Sequence, residues 1–193
     1  MRRILCLALV SLLAAGMLSA CSTSSLTLIQ NTSFGMTRGQ VTNKLGEPSL
    51  DSEGNNEGET KYLYRNKRMY GTKGAYYFYF DKNETMYSCL WVSDNFDIAA
   101  DDDAADKAMR LYEKIARSVR KAAGEPDEDT YTPGRQYRMR WQLDDYRVSV
   151  YVNIIDLGLT VRYCVGIQYT ANDAIPQQSA TPEAPTEASA PPA

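Results

Sequence analysis

A short segment with complete helix-start and helix-stop signals constrains the fold of this chain more than any other feature. Thr37 is a good N-cap residue, and Gln40 lies three positions on, as a capping box requires. Gly46 and Pro48 end the helix, because glycine adopts the left-handed conformation at a helix C-terminus and proline cannot continue the helix. A longer helical pattern ends in the same Gly-Glu-Pro sequence at residues 124–126. Strand-like segments follow both stops, so the sequence predicts an α+β fold of two tandem units.

Each unit is expected to pack a helix, or a helix pair, on a three- to four-stranded antiparallel sheet. Alternating apolar and polar residues predict the strands. They run over residues 61–65, 75–80 and 86–92 in the first unit, and over 137–143, 147–154 and 159–169 in the second.

The N-terminus has the pattern of a bacterial export signal. Arg2 and Arg3 precede an apolar run that is too short to span a bilayer. The residues Leu-Ser-Ala before Cys21 resemble the lipobox of bacterial lipoproteins, and this resemblance implies cleavage after residue 20 and lipid attachment to Cys21. The alternative is an ordinary signal peptide with a chance cysteine. By the same resemblance, Ser22 favours the outer membrane, where the anchored chain would face the periplasm.

Composition divides the chain further. We expect a signal peptide over residues 1–20, a lipidated tether over 21–33, folded units over 34–94 and 101–170, and a disordered Pro/Ala-rich tail over 171–193. Without residues 1–20 the 21 basic residues fall to 19 against 24 acidic ones, a net charge of −5. That charge argues against nucleic acid as a partner.

The sequence contains no histidine, which excludes Ser-His and Cys-His catalysis and all histidine metal sites. We therefore expect no enzyme activity, no metal and no cofactor. A hydrolase using Asp144 and Asp145 is a weak alternative, because adjacent residues on a turn cannot flank a scissile bond from opposite sides.

A family resemblance rests on a Gly-x-Thr, Val, Leu-Gly-x-Pro skeleton before a tyrosine-rich segment. Its residues are Gly35, Thr37, Val41, Leu45, Gly46 and Pro48. This skeleton resembles the SmpA/OmlA family, which includes a small lipoprotein accessory of the outer-membrane β-barrel assembly machine. The resemblance implies envelope proteins as partners, among them barrel-assembly subunits. It also implies a partner-binding surface near Phe34, Gly35, Met36 and Thr37.

Strand alternation also predicts an aromatic sheet face that no helix covers in the first unit. That face either packs on the second unit or binds a partner. The two units resemble in arrangement the tandem repeats of the β-lactamase inhibitor protein, and by that analogy the binding face continues across both units. Its residues would be Tyr77, Tyr79, Tyr87, Trp91, Arg147, Tyr151 and Arg162. The alternative is a sheet surface with scattered aromatics and no partner.

Cys89 and Cys164 are the thiols that remain after export and lipidation. An oxidising compartment allows a disulfide between them, provided that their Cα atoms lie within about 7 Å. Two free thiols are the other interpretation.

Two functions fit these features. The first is a non-catalytic, outer-membrane-anchored lipoprotein that binds another envelope protein as an assembly factor or scaffold. The second is an inhibitor or ligand-binding module of the β-lactamase-inhibitor type, acting on a secreted or periplasmic enzyme. Capture of a soluble target without membrane components would distinguish the second from the first.

Overall fold

The structure is a computed structural model, and it describes residues 26–54 and 57–174. In these residues the chain forms nine strands and two α-helices, with 3-10 turns at Ile29–Asn31 and Asn172–Ala174. The helices are α1 (Arg38–Leu45) and α2 (Ala104–Ala123). The strands are β1 (Leu50–Glu53), β2 (Thr60–Met69), β3 (Thr72–Phe80), β4 (Met86–Ser93), β5 (Phe96–Asp97), β6 (Glu128–Thr132), β7 (Gln136–Gln142), β8 (Tyr146–Asp156) and β9 (Val161–Ala171).

All nine strands of the described chain join one antiparallel sheet. Their order is β1-β2-β3-β4-β9-β8-β7-β6, and β5 pairs with β9 beyond the end of β4. The predicted α+β fold of two helix-on-sheet units is therefore wrong: residues 26–54 and 57–174 form mainly antiparallel sheet, with two α-helices among them. The pairing of β4 with β9 explains the difference. Each of these strands would be an open edge in a separate unit, and the pairing satisfies the hydrogen bonds of both.

Helix α1 begins with the predicted capping box, which is confirmed. The Thr37 hydroxyl accepts from the Gln40 backbone N–H at 3.3 Å, and the Thr37 N–H donates to Gln40 Oε1 at 2.8 Å. The helix ends at Gly46, whose φ of 83° lies in the region that favours glycine. Val41 is its only buried residue, so α1 covers little of the sheet.

Helix α2 is strongly amphipathic and packs against β5, β8 and β9. Its buried residues are Ala104, Ala108, Leu111, Tyr112, Ile115, Ala116 and Val119. Val41 of α1 belongs to the same buried cluster, so both helices lie on one side of the sheet. We name this side the helix face and the opposite side the open face. In the part of the chain that the structure describes, neither helix is long and apolar enough to span a bilayer.

The core lies between the helices and the helix face. It includes large aromatic side chains from five strands, among them Tyr64, Phe78, Phe80, Trp91, Trp141 and Tyr169. Rings pack edge to face within it, as between Tyr64 and Phe78 with centroids 5.7 Å apart. The many aromatic residues of strands β2 to β4 thus serve mainly to fill this side of the sheet.

Candidate protein-binding face

The open face runs without interruption across the junction between β4 and β9. Side chains that are direct cross-strand neighbours share a face, so the register defines rows across the whole sheet. The central row consists of Leu63, Tyr77, Leu90, Gln168, Ser149 and Arg140. A neighbouring row consists of Lys61, Tyr79, Ser88, Thr170, Arg147 and Gln142. Residues from both halves of the chain therefore form one surface.

Tyr77, Tyr79 and Tyr151 form the aromatic part of the open face. Burial raises the pKa of Tyr151, and the nearby Cys164 and Tyr79 raise it further. The Tyr151 ring also covers Gly166 on β9: a Cβ at Gly166 would lie 2.4 Å from a ring carbon. Tyr151 is consequently held flat against the sheet and does not project into solvent.

Tyr87 extends this aromatic group toward the start of β4, where a register shift against β3 brings its side chain onto the open face beside Tyr79. Its ring centroid lies 6.3 Å from that of Tyr79. Burial raises the pKa of Tyr87, and the adjacent Glu59 raises it further through its charge and a hydrogen bond. The open face thus reaches the start of β4.

The segment from Phe34 to Thr37 lies beside the start of β4. Gly35 N–H donates to the Met86 carbonyl and Met86 N–H donates to the Met36 carbonyl, both at 2.9 Å. Phe34 packs on Tyr146 with ring centroids 5.8 Å apart. Phe34, Gly35 and Tyr87 line one open cavity of about 340 Å³. Tyr87 thereby connects the segment, which the family resemblance implicated, with the aromatic face.

Trp91, which we expected on the binding face, lies on the helix face. It pairs with Tyr76 and Ile167, both core residues, and has no solvent exposure. Alternation groups Trp91 with Tyr87, but the register shift between β3 and β4 at Tyr79 and Phe80 separates the two, and the alternation pattern of the sequence does not reveal such a bulge.

Arg162, at the far end of the open face, already has a partner. Its Nε donates to Asp97 Oδ2 at 2.8 Å. Hydrogen bonds from Thr160 and Arg162 lower the pKa of Asp97. Arg162 therefore fastens β5 to β9.

Two arginines that the sequence reasoning missed lie beside Arg147. Arg138 and Arg140 of β7 share the open face, because Arg138 is opposite Tyr151 and Arg140 is opposite Ser149. Burial lowers the pKa of Arg147, and the positive charges of Arg140 and Arg138 lower it further. The available signal was the alternation of Arg138 and Arg140 with apolar residues in β7.

The two cysteines cannot form a disulfide in this register. Cys89 is opposite Tyr169, whereas Cys164 lies five residues away along β9, about 17 Å at strand spacing. An odd separation also places the two side chains on opposite faces. Both are buried free thiols, and burial raises the pKa of Cys89 to about 12.

Several predicted features lie outside the described residues. They are the signal peptide, lipidation at Cys21, the first part of the tether and the tail from residue 175. The described part of the tether docks on the core through Ile29, which is 1% exposed, in a 3-10 turn. Within the described ranges, no group of three or more His, Cys, Asp or Glu residues is placed to hold a metal ion.

The fold and this face define the class of protein: a single antiparallel sheet with helices on one side and an open aromatic and arginine-bearing surface on the other. Residues 26–88 match the family model described as outer membrane protein assembly factor BamE domain. The match includes α1, strands β1 to β3 and the first three residues of β4, less than half of the chain, and it supports the SmpA/OmlA resemblance there. The predicted tandem repeat is not confirmed. No curated protein and no solved structure matches this chain.

Proposed function

We propose that this chain is a non-catalytic accessory protein of outer-membrane protein assembly that binds another envelope protein. The match of residues 26–88 to an outer-membrane assembly factor domain carries the proposal. The resemblance of the residues before Cys21 to a lipobox supports an anchor in the outer membrane, from which the sheet would face the periplasm. Barrel-assembly subunits are the partners that the family resemblance favours.

The open face is the proposed binding surface, together with the segment from Phe34 to Thr37. Tyrosine side chains bury a large contact area at a low cost in side-chain entropy, and an arginine side chain can donate hydrogen bonds to two acceptors at once. Both residues are enriched at protein interfaces. Tyr77 and Tyr79 are only half-buried although they lie in the middle of a large sheet, so a partner could cover them further. The cavity beside Phe34 and Tyr87 would extend the same contact.

In-cell photo-cross-linking tests this proposal. A photoreactive residue replaces Tyr79 on the open face, and a control replaces the exposed Lys114 on α2, on the other side of the sheet. We expect the probe at position 79, in the lipidated protein in its native host, to capture barrel-assembly subunits, and the probe at position 114 to capture none. Capture of a soluble enzyme would overturn the proposal in favour of an inhibitor, and capture of nothing above background would overturn it altogether.

A further inference from the structure

Three arginines form a diagonal line on the open face of β7 and β8. Arg138 and Arg140 lie at alternate positions of β7. Arg147 of β8 is opposite Gln142, so it lies one strand across and two residues beyond Arg140. At ordinary strand spacing the line from Arg138 to Arg147 is about 14 Å long. All three residues lie outside the matched residues 26–88, so the family match does not account for them.

The positive charge of this line is mostly unpaired. In the described part of the chain, Arg140 alone of the three has an ion pair, to Glu128 at 2.7 Å. The Nε atoms of Arg138 and Arg140 are buried without a hydrogen-bond partner there. A buried Nε–H group that lacks an acceptor is unfavourable, and like charges side by side add to the cost. The chain as a whole is acidic, with a net charge of −3, so the local positive charge of this line is opposite in sign to that of the chain.

We propose that the arginine line binds an extended acidic segment of a protein partner, with carboxylates at alternate positions. Side chains at alternate positions of an extended chain lie on one side, about 7 Å apart, which is also the spacing of Arg138 and Arg140. Three such carboxylates span about 13 Å and therefore match the whole line. Each carboxylate can accept two parallel hydrogen bonds from one guanidinium group.

The neighbouring tyrosine supports the same occupant. Arg138 is directly opposite Tyr151, whose ring lies flat on Gly166. Because only 9% of Tyr151 is exposed, its ring offers a small apolar surface beside the cationic row to the side-chain stems of a bound segment. This inference rests on the proposed function, since it names the chemistry of the partner for the same face.

The binding test uses the full chain purified in detergent and three labelled peptides of equal length. The first alternates Glu with Thr, the second has the same composition with all Glu residues consecutive, and the third has Gln in place of Glu. Fluorescence anisotropy should show binding of the alternating peptide that weakens with added salt. We expect each of the other two peptides to bind at least about tenfold more weakly, since each lost charged contact lowers affinity.

Two matched double variants locate the site. Arg138→Gln with Arg147→Gln removes two charges from the line, and Arg110→Gln with Arg117→Gln removes two from exposed positions of α2. The first variant should bind the alternating peptide about tenfold more weakly, and the second should bind it as the native chain does. The single variant Arg147→Gln should weaken peptide binding without lowering the melting temperature, because it removes a partly buried charge that has no ion pair among the described residues. A purely structural role for Arg147 predicts that this variant has a lower melting temperature than the native chain.

Three outcomes would overturn the inference. First, the native chain and both double variants could bind the alternating peptide with equal affinity. The arginines could instead bind vesicles of anionic phospholipid while no peptide binds. Finally, peptide binding could appear only after removal of residues 175–193, which contain Glu183 and Glu187, and the occupant would then be the chain's own tail.

Cross-linking separates failure of this inference from failure of the proposed function. If the native chain captures no assembly protein, the proposed function fails whatever the peptides show. If the native chain and the Arg138→Gln, Arg147→Gln variant capture assembly proteins equally well, the proposed function stands and the arginine line is not its docking site.

Discussion

Replacing Trp91 with alanine should destabilise the fold strongly, because the structure places this side chain in the core. Trp91 is fully buried on the helix face, between the cross-strand neighbours Tyr76 and Ile167. Truncation of a buried tryptophan costs about 3–5 kcal/mol through lost burial and the remaining cavity. Its indole N–H has no hydrogen-bond partner in the described residues, and its removal relieves part of that cost. We therefore expect about 3 kcal/mol, at the lower end of the range.

Urea unfolding followed by circular dichroism measures this change, and Tyr79→Ala on the open face is the matched control. A loss of about 3 kcal/mol corresponds to a fall in melting temperature of about 6–12 °C for a domain of this size. The control should lose less than half as much stability, because Tyr79 is only half-buried. If Trp91→Ala were the milder substitution and instead impaired partner binding, the register of β4 would be wrong by one residue. A slip of one residue moves every side chain of a strand to the other face.

Three further perturbations test other parts of the structure. Thr37→Ala removes the N-cap of α1 and should cost about 1 kcal/mol in urea unfolding; an unchanged midpoint would contradict the capping box. Gly166→Ala should lower the melting temperature, because the new methyl group meets the Tyr151 ring. The double variant with Tyr151→Ala should lose less than the sum of the two single losses, and strictly additive losses would refute the contact. Asp97 has a lowered pKa, so its contribution to stability is complete above about pH 4 and declines as the pH falls through the folded-state pKa; Asp97→Asn should flatten the acid limb of the stability profile, and an unaltered limb would exclude that role.

Local sequence signals predicted the individual elements well. The capping residues Thr37 and Gln40 predicted the start of α1 correctly, since a capping box involves only residues three positions apart. Alternation located β3, β4, β8 and β9 to within a few residues. The sequence reasoning missed β1, β5 and β6, which are two to five residues long and carry little alternation of their own.

The candidate face was predicted only in part. Tyr77, Tyr79, Arg147 and Tyr151 do share one surface, but the same reasoning assigned Trp91 to it and did not notice Arg138. Alternation sorts the residues of one strand into two sets without saying which set meets the helix. Nothing in a single strand therefore distinguishes a tyrosine of the open face from a tryptophan of the core.

The sequence by itself determined the local elements: where α1 starts and stops, which segments are extended, and the absence of histidine chemistry. These properties depend on backbone preferences and side-chain types within a few residues. Only the tertiary structure decided that β4 pairs with β9, which joins two expected sheets into one and carries the open face from Tyr77 to Arg147. That pairing connects residues about eighty positions apart. Its hydrogen bonds are between backbone groups, which every strand offers alike, so the choice of partner strand depends on how the whole core packs.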